Sequence, residues 1–422
     1  MIVGASAAGI GAVEAIREVD PVDTITVISD EKCPQYSRPM ISDLVSGKAN
    51  FDKMMCREDD FWQKKDVQAL TGRTAVSLNL TEKWVALDKG DRVNFKKLLI
   101  ATGGKPFVPK IEGSEKEGVY TFTTLSDAES LAAKIETARN AVVVGGGLIG
   151  VSVTEALVKR GLKVTMVELK DNILSLILDP TASEMVENVI NNAGVTIATG
   201  QTVQRILGKL EDDNVVGSAI LTGGEQVPCD LVIVAIGVIP RMELVSGTDV
   251  KTHKGIIVDN FMRTNVPDVY ASGDVAEAYD FVLGENRLLP LWPLAQLEGK
   301  VAGYNMAGKK VEYPGGTAMS ALKYFDVPII SIGVANPPED GMYEILVKHE
   351  PKRNLYKKIV LKDNGIVGLT LVNDIERAGV LFHLMKNGVK VKRLKQELLS
   401  EDFCIATLPR TLRRKLYPGE YR

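Results

Sequence analysis

The chain has 422 residues, with 51 Lys and Arg against 54 Asp and Glu, and a formal net charge of −3. With 45% hydrophobic and 25% charged residues it has the composition of an ordinary globular protein, which excludes wholesale disorder and gives no indication of a nucleic-acid partner. At roughly 150 residues per domain, the length predicts about three domains. The apolar stretches fall well short of the roughly 20 residues that a membrane-spanning helix needs. No basic and apolar leader opens the chain, so we expect a cytoplasmic protein.

The cysteines and histidines are few and scattered. None of the four cysteines forms a Cys-x-x-Cys pair, and the three histidines have no metal-ligand spacing. We therefore predict no metal site and no vicinal dithiol, and expect these residues to pack in the core or lie on the surface. They are Cys33, Cys56, Cys229, Cys404, His253, His349 and His383.

A strand, a glycine turn and a helix occur twice, about 140 residues apart. The first copy covers residues 1–16 and the second residues 141–157. A β-rich run ending in acidic residues follows each copy, at residues 24–31 and 163–168. Both copies are therefore predicted to be βαβ units. Met1 lies only three residues before Gly4, so either the first strand is short or residues are missing upstream.

Each copy has a later partner strand that closes on small residues. Residues 98–104 read Leu-Leu-Ile-Ala-Thr-Gly-Gly, and residues 231–237 read Leu-Val-Ile-Val-Ala-Ile-Gly. Continuous apolar runs of this length are typical of strands buried on both faces of a parallel sheet. The fold class predicted is α/β, with two Rossmann-like dinucleotide-binding domains.

After residues 314–316 (Pro-Gly-Gly) the pattern changes to shorter strands, and residues 362–365 (Lys-Asp-Asn-Gly) separate two of them as a hairpin turn. This predicts a third, α+β domain. Residues 313–422 hold 18 Lys and Arg against 12 Asp and Glu, so the C-terminal part is basic while the remainder is acidic. The densest basic cluster is Arg410, Arg413, Arg414 and Lys415.

The glycine turns carry the G-x-G-x-x-G pattern of dinucleotide-binding sites. The first glycine permits the tight turn, the second leaves room for the pyrophosphate, and the third lets helix and strand pack closely. The N-terminus of the following helix then attracts the phosphates. The second copy matches in full, and the first has serine in the middle. The residues predicted at the two turns are Gly4, Ser6, Ala8 and Gly9, and Gly145, Gly147, Leu148, Ile149 and Gly150.

Acidic residues end the second strand of each copy. Glu168 lies 23 residues after Gly145, where a carboxylate accepts hydrogen bonds from a ribose 2′-hydroxyl and repels a 2′-phosphate. This favours NADH over NADPH, although Lys170 keeps NADPH open. In the first copy the same role falls to Glu31, with Asp30 as second choice.

Residues 264–274 read Thr-Asn-Val-Pro-Asp-Val-Tyr-Ala-Ser-Gly-Asp. Together with the two turns, this segment resembles the second flavin motif of the FAD-dependent pyridine nucleotide-disulfide oxidoreductases. The resemblance implies an FAD domain from residues 1–107 and 243–312 and an NAD(P)H domain from residues 108–242. It also implies a C-terminal interface or dimerisation domain at 313–422. Further residues assigned to the cofactors are Ala101, Thr102, Gly103, Gly273, Asp274, Trp292 and Pro293 for FAD, and Gly237 for NAD.

Residues 35–42 (Gln-Tyr-Ser-Arg-Pro-Met-Ile-Ser) resemble the Y-x-R-P stretch of NADH:rubredoxin reductases, ferredoxin reductases and the flavin part of NADH-dependent nitrite reductases. Arg38 is then expected to meet the FAD pyrophosphate. Relatives that reduce peroxide or coenzyme A disulfide carry a redox cysteine where this chain has Pro39. Asp43 and Ser152 replace a lysine and a glutamate that many relatives place beside flavin and nicotinamide.

The resemblance implies hydride transfer from NADH to FAD, followed by delivery of single electrons to a rubredoxin or ferredoxin. The basic C-terminal part favours docking of such an acidic carrier at Arg413 and Arg414. No catalytic side chain is assigned. The alternatives are an NADH oxidase that uses oxygen, an electron-relay subunit of a larger metalloenzyme complex, and the flavin half of a nitrite reductase.

Overall fold

The structure is a computed structural model that describes residues 1–416. It divides into two compact units, each built from separate stretches of chain. The first unit contains Met1–Lys110, Tyr120–Thr137 and Ala235–Gly316, and the second contains Ile111–Val119, Ala138–Val234 and Thr317–Arg422. Each unit includes one of the two glycine turns.

A five-stranded parallel sheet organises the first unit. The first strand is central, and Ile2 pairs with Val27 on one side and Leu99 on the other. Four of the five strands have buried apolar residues, as a sheet covered on both sides requires, while the edge strand Val67–Thr71 is only partly buried. In spatial order they are Val269–Ala271, Leu98–Ile100, Ile2–Val3, Ile25–Ser29 and Val67–Thr71.

Two long helices of the first unit, Ala7–Val19 and Trp292–Met306, pack backbone against backbone. A Cβ atom added to Gly299 would lie 2.0 Å from the carbonyl oxygen of Ala8, so only glycine permits this contact. The other helical segments are Arg38–Met40, Ile41–Val45, Phe51–Met54, Phe61–Lys64, Leu125–Ile135 and Glu243–Val245.

Small sheets complete the first unit. One is a three-stranded antiparallel sheet, one a two-stranded antiparallel ribbon, and one a mixed three-stranded sheet. Their strands are Ala75–Asn79, Trp84–Leu87 and Arg92–Asn94; Gly104–Pro106 and Val238–Pro240; and Ile256–Ile257, Ala276–Asp280 and Glu285–Leu288.

The second unit contains the second parallel sheet, with strands Thr196–Thr199, Lys163–Glu168, Asn140–Val144 and Leu231–Val234 in spatial order. Its helices are Leu148–Lys159 and Pro180–Asn192. An antiparallel sheet of Val203–Gly208, Val216–Leu221 and Gln226–Pro228 follows. Along the chain, the second unit is left and the first re-entered within the short strand Val119–Thr121.

The C-terminal part of the second unit is an antiparallel five-stranded sheet. The predicted hairpin is confirmed, since Asp363 and Asn364 adopt φ angles of 49° and 60° between its two strands, as a tight hairpin turn requires. The strands in spatial order are Met319–Tyr324, Val327–Gly333, Gly365–Val372, Leu355–Lys362 and Tyr343–Glu350. The helical segments are Pro351–Arg353, Ala378–Lys386, Glu397–Leu399, Ile405–Thr407 and Arg410–Leu416.

This architecture confirms the predicted fold class of two Rossmann-like sheets and a C-terminal α+β region. The domain boundaries inferred from sequence, and the dimerisation role of residues 313–422, stay predictions. Within residues 1–416, no helix combines the length and the apolarity needed to cross a bilayer.

Candidate dinucleotide-binding sites

The first glycine turn has little room for any other residue at two of its positions. Gly4 has a φ of 122°, and a Cβ atom on it would lie 2.0 Å from the carbonyl oxygen of Ala101. A Cβ on Gly9 would lie 2.0 Å from the carbonyl oxygen of Gly4. Ser6 precedes the helix, and its hydroxyl makes no capping bond. Backbone N–H groups of the first helical turn, which includes Ala8, are therefore free of a side-chain cap and suited to an anion.

The carboxylate of Glu31 is the centre of a side-chain cluster beside this turn. It accepts hydrogen bonds from the Tyr36 hydroxyl at 2.7 Å and from the Arg38 guanidinium. Arg38 also donates to the carbonyl oxygen of Thr123 at 3.0 Å, and its Nε lies 3.4 Å from the Ser6 hydroxyl. The structure thus brings together Ser6, Glu31 and Arg38, three of the predicted FAD residues. Asp30, the second choice after Glu31 in the sequence analysis, forms an ion pair with Arg241 at 2.6 Å instead.

Pro39 lies in the short helical turn Arg38–Met40, directly after this arginine. Cys33 is nearby, with its Sγ atom 3.6 Å from a carboxylate oxygen of Glu31. Burial and the Glu31 charge raise the pKa of the Cys33 thiol to about 11. The thiol is therefore protonated at neutral pH and is a poor nucleophile. Asp43 forms an ion pair with Lys48 at 3.2 Å.

A second cluster surrounds the turn at Gly273. Glu298 is 2% exposed, and its carboxyl accepts a hydrogen bond from the Gly273 N–H at 2.8 Å. The Tyr313 hydroxyl donates to its other oxygen at 3.3 Å. Burial raises the pKa of Glu298 to about 8, and burial also raises the pKa of Asp274 against the attraction of Arg38. Two carboxyl groups thus lie close together in an apolar environment, which disfavours both charges at once.

Three elements meet at Gly273. A Cβ on this residue would lie 3.2 Å from the Ala8 side chain and 3.4 Å from that of Ala295. Ala295 belongs to the first turn of the Trp292–Met306 helix, where Pro293 occupies an early position that suits proline. Trp292 is half-buried against the core of the first unit. The structure therefore brings the start of both long helices to the 273–274 turn.

The remaining predicted FAD residues lie at the carboxyl end of the Leu98–Ile100 strand. Ala101 is buried and contacts the first turn through Gly4. The Thr102 hydroxyl donates to the carbonyl oxygen of Arg241 at 2.7 Å. A Cβ on Gly103 would meet open space. Gly237, assigned to NAD from the sequence, falls in the first compact unit and has a φ of 118°.

The second turn repeats the backbone plan of the first. Gly145 has a φ of 110°, and a Cβ on Gly150 would lie 1.8 Å from the carbonyl oxygen of Gly145. A Cβ on Gly147 would meet open space, the room that a pyrophosphate needs. Leu148 and Ile149 open the helix, whose cap residue is Gly147. The shape of this turn is therefore that of a phosphate-binding turn.

Glu168 contacts the second turn directly. One of its carboxylate oxygens accepts the N–H of Gly146 at 2.6 Å, and the other accepts the N–H of Lys170 at 2.8 Å. Gly146 is further fixed through its carbonyl oxygen, which accepts the N–H of Leu174 at 2.8 Å. Unlike Glu31, Glu168 is held by backbone groups.

Sequence reasoning missed Tyr36, Glu298 and Tyr313 as members of these clusters. Tyr36 stands in the stretch that identified Arg38, and its hydroxyl also accepts the N–H of Leu125 at 2.9 Å. Glu298 could have been found as an acidic residue directly before Gly299, on a helix face that is otherwise made of small residues. Tyr313 had no comparable signal, since only the folded chain places it beside Glu298.

The basic tail is exposed only in part, since Arg410 and Arg414 are exposed while Arg413 is half-buried. The Nε atom of Arg413 is buried, and Arg414 has an interaction within the chain. Only the backbone of Lys415 is described. Arg413 is therefore not a fully solvated docking cation.

Residues 1–299 match the family Pyridine nucleotide-disulphide oxidoreductase, and residues 319–389 match the Rubredoxin NAD+ reductase C-terminal domain. The first match covers more than half of the chain. The protein therefore belongs to the pyridine nucleotide-disulphide oxidoreductase family and is an FAD-dependent NAD(P)H oxidoreductase.

Curated relatives differ in the assemblies that their names describe. The chain is 31% identical over 408 residues to the NADH-dependent phenylglyoxylate dehydrogenase subunit epsilon of Aromatoleum evansii, covering 96% of this chain and 95% of that one. It is 29% identical to the nitrite reductase [NAD(P)H] of Bacillus subtilis, covering 92% of this chain but 47% of that one. It therefore spans about half of that relative.

The chain is 25% identical to the NADH-rubredoxin oxidoreductase of Clostridium acetobutylicum, covering 89% of this chain and 91% of that one. Among solved structures, the NAD-dependent persulfide reductase of A. fulgidus matches with a TM-score of 0.86 and 29% identity, covering 93% of this chain and 77% of that one.

The first cluster fits an FAD by its own geometry. An uncapped helix N-terminus, a guanidinium beside it and the open space at Gly103 suit a pyrophosphate-containing dinucleotide. The open space at Gly147 fits an NAD(P)H in the same way.

Proposed function

We propose that this protein passes electrons from NADH through FAD to a small iron–sulfur carrier protein such as a rubredoxin or ferredoxin. The observation that carries the proposal is the combination of two dinucleotide turns with a proline, Pro39, where thiol-using relatives keep a redox cysteine. The nearby Cys33 is protonated and does not replace that thiol. The match of residues 319–389 to a rubredoxin reductase domain supports the choice of acceptor.

In this proposal the first turn and Arg38 bind the FAD pyrophosphate, and Glu31 binds the adenosine ribose while holding Arg38 in place. Asp274 accepts hydrogen bonds from the ribityl chain. The helix that begins at Trp292 directs its positive end toward the flavin ring. Bound FAD supplies hydride acceptance and single-electron release, so no side-chain acid or base is needed for the transfer itself.

Glu168 is the basis for proposing NADH rather than NADPH. Its two hydrogen bonds to Gly146 and Lys170 fix a negative charge beside the second turn. That charge repels a 2′-phosphate and accepts hydrogen bonds from the ribose hydroxyls. The adjacent Lys170 side chain is exposed to solvent and competes weakly with this preference.

We propose a docking surface for an acidic carrier that differs from Arg413 and Arg414. Lys386, Lys390, Lys392 and Arg393 are all exposed, and among the described residues none of them forms an ion pair. Val389 and Val391 are buried and anchor this segment. Four cations in eight residues, with no ion-pair partner among residues 1–416, create a local positive potential that steers an acidic partner.

The cofactor part of the proposal is tested by anaerobic titration of the purified protein with NADH and then NADPH. We expect the flavin absorption near 450 nm to bleach at lower NADH than NADPH concentration. A protein that binds no FAD on reconstitution would refute the proposal. Oxygen, nitrite, rubredoxin and ferredoxin, offered in turn, then identify the acceptor.

The docking surface is tested by the triple variant Lys390→Glu, Lys392→Glu, Arg393→Glu. We expect kcat/KM for a rubredoxin or ferredoxin to fall on the order of tenfold or more at low salt, with a weaker dependence on ionic strength. The matched control reverses the exposed Lys89 and Lys96 of the first unit. Reduction of ferricyanide should be unchanged in both variants, and equal losses in both would contradict this surface.

The resemblance to the subunit epsilon of a larger dehydrogenase favours a second candidate, in which this chain relays electrons inside a metalloenzyme complex. Under that function the isolated chain would oxidise NADH slowly with every free carrier. Co-purification with an iron–sulfur subunit, with activity restored on mixing, would select it.

A further inference from the structure

The C-terminal sheet contacts the helix that begins directly after the second glycine turn. The hydroxyl of Tyr324, on the first strand of that sheet, donates to the carbonyl oxygen of Leu148 at 3.0 Å. Leu148 is the first residue of the helix whose N-terminus faces the predicted phosphate site. Tyr324 is buried, and burial raises the pKa of its hydroxyl, so this group is always a donor at neutral pH.

Phe325, in the hairpin turn that follows Tyr324, extends this contact along the same helix. The N–H of Phe325 donates to a carboxylate oxygen of Glu155 at 3.1 Å. Phe325 and Asp326 both have left-handed backbone, with φ angles of 47° and 66°. A left-handed phenylalanine costs energy, so the surrounding structure must hold the tip of this hairpin in place.

A second connection runs through residues 173–179. Leu174, whose N–H binds the carbonyl oxygen of Gly146, has a φ of 53°, a strained value for leucine. The strand Val327–Gly333 of the C-terminal sheet and the loop that follows this strand hold the far end of the segment. Ser331 donates to the carbonyl oxygen of Ile177 at 2.6 Å, and Asn336 donates to those of Ser175 and Leu178, both at 2.9 Å.

The segment ends at a buried ion pair. Asp179, the cap residue of the Pro180–Asn192 helix, accepts the Tyr356 hydroxyl at 2.6 Å and pairs with Lys358 at 2.8 Å. Removing one partner of a buried pair leaves an uncompensated charge, which is strongly destabilising. This end of the segment is therefore firmly anchored to the sheet.

We propose that Tyr324, together with Ser331 and Asn336, positions the nicotinamide-dinucleotide turn, so that the C-terminal sheet sets the affinity of the second fold for NADH. Tyr324 acts on the start of the phosphate-binding helix, and the other two act on Gly146 through Leu174. These are positioning residues, since their bonds reach backbone atoms of the turn and its neighbours. This inference rests on the proposed binding of NADH at the second turn.

The test uses the full-length protein with FAD bound and the variants Tyr324→Phe and Ser331→Ala, alone and combined. The loss of one hydrogen bond of ordinary strength predicts a rise in the Kd for NADH of about fivefold for each single variant. The matched control is Tyr343→Phe, which removes a hydroxyl from the edge strand of the same sheet, where the ring lies against the Lys362 ammonium group.

Kd is measured by anaerobic titration, and steady-state kinetics separate KM from kcat. Positioning predicts a higher KM for NADH, with kcat at saturating NADH, FAD content and carrier KM within twofold of wild type. A purely structural role would lower FAD content or melting temperature and leave the KM for NADH unchanged. That pattern, or equal shifts in Tyr343→Phe, would overturn the inference. A wild-type protein that does not bind NADH would instead refute the proposed function.

Discussion

The two glycine turns share one backbone plan and differ in what holds the acid that follows each. In the first fold, the βαβ unit that contains Gly4 and Gly9, Glu31 accepts hydrogen bonds from two side chains of the segment that follows it, Tyr36 and Arg38. In the second fold, the βαβ unit that contains Gly145 and Gly150, Glu168 accepts hydrogen bonds from two backbone N–H groups, those of Gly146 in the turn and of Lys170.

The difference makes the two acids depend on different parts of the chain. The position of Glu31 depends on two other side chains, so a change in Tyr36 or Arg38 is expected to displace its carboxylate. The position of Glu168 depends on backbone groups of the turn, so its carboxylate is held in place before a nucleotide binds. Preorganisation of this kind lowers the ordering cost of each binding event.

The largest effects are expected from alanine at the third glycine of each turn. A Cβ would lie 2.0 Å from a backbone oxygen in Gly9→Ala and 1.8 Å in Gly150→Ala, so the backbone must move. We expect Gly9→Ala to purify largely without flavin. Gly150→Ala should keep its flavin but bind NADH on the order of 100-fold more weakly, equivalent to about 3 kcal/mol.

The ratio of absorbance at 450 and 280 nm measures flavin content, and anaerobic titration measures the affinity for NADH. If Gly150→Ala lost its flavin as completely as Gly9→Ala, the two turns would not be independent sites and the comparison would fail.

A smaller pair of effects is expected from amides in place of the two acids. Glu31→Gln removes the charge that neutralises the partly buried Arg38, and we expect FAD to dissociate about tenfold faster. Glu168→Gln should leave FAD in place and reduce the preference for NADH over NADPH by roughly tenfold. Glu211→Gln, at an exposed acid, is the control.

Flavin release followed by fluorescence and the ratio of kcat/KM for the two nucleotides measure these effects. If Glu168→Gln left the ratio of kcat/KM for NADH and NADPH unchanged, Glu168 would not contribute to recognition of the ribose.

Glu298 is expected to make the stability of the first unit depend on pH. Its pKa rises from an ordinary 4.5 to about 8, so the folded state binds more protons than the unfolded state between these values. The free energy of unfolding therefore falls as pH rises through this window, by up to about 1.4 kcal/mol per pH unit, and levels off above about pH 8.

Glu298→Gln keeps a neutral acceptor for the Gly273 N–H and removes the titration. Urea unfolding at pH 5, 6.5 and 8 should show the variant gaining stability over wild type as pH rises. A constant difference across this range would mean that Glu298 is ionised throughout.

The smallest effect is expected at Cys33. Its thiol is protonated at neutral pH and contacts Glu31, so Cys33→Ser should keep turnover within about twofold of wild type and change stability by under about 1 kcal/mol. NADH turnover and thermal melting check this. Loss of activity would mean that the Cys33 thiol takes part in the reaction, which would contradict the proposed mechanism.

The sequence by itself determined where the two glycine turns and the hairpin at residues 362–365 lie. It also determined that an acidic residue, Glu31 or Glu168, ends the second strand after each turn. These features depend on spacing within one βαβ unit or one turn, where few conformations satisfy the backbone. Arg38 was also predictable, because its neighbours form a recognisable local pattern.

Only the tertiary structure decided which distant groups meet. Tyr324 and Leu148 are 176 residues apart, and Glu298 and Gly273 are 25 apart on separate elements. No local preference encodes such contacts, because they form only when packing brings two elements together and each buried polar group must find a partner. The basic tail shows the same limit, since its composition gave no sign that the Nε atom of Arg413 is buried.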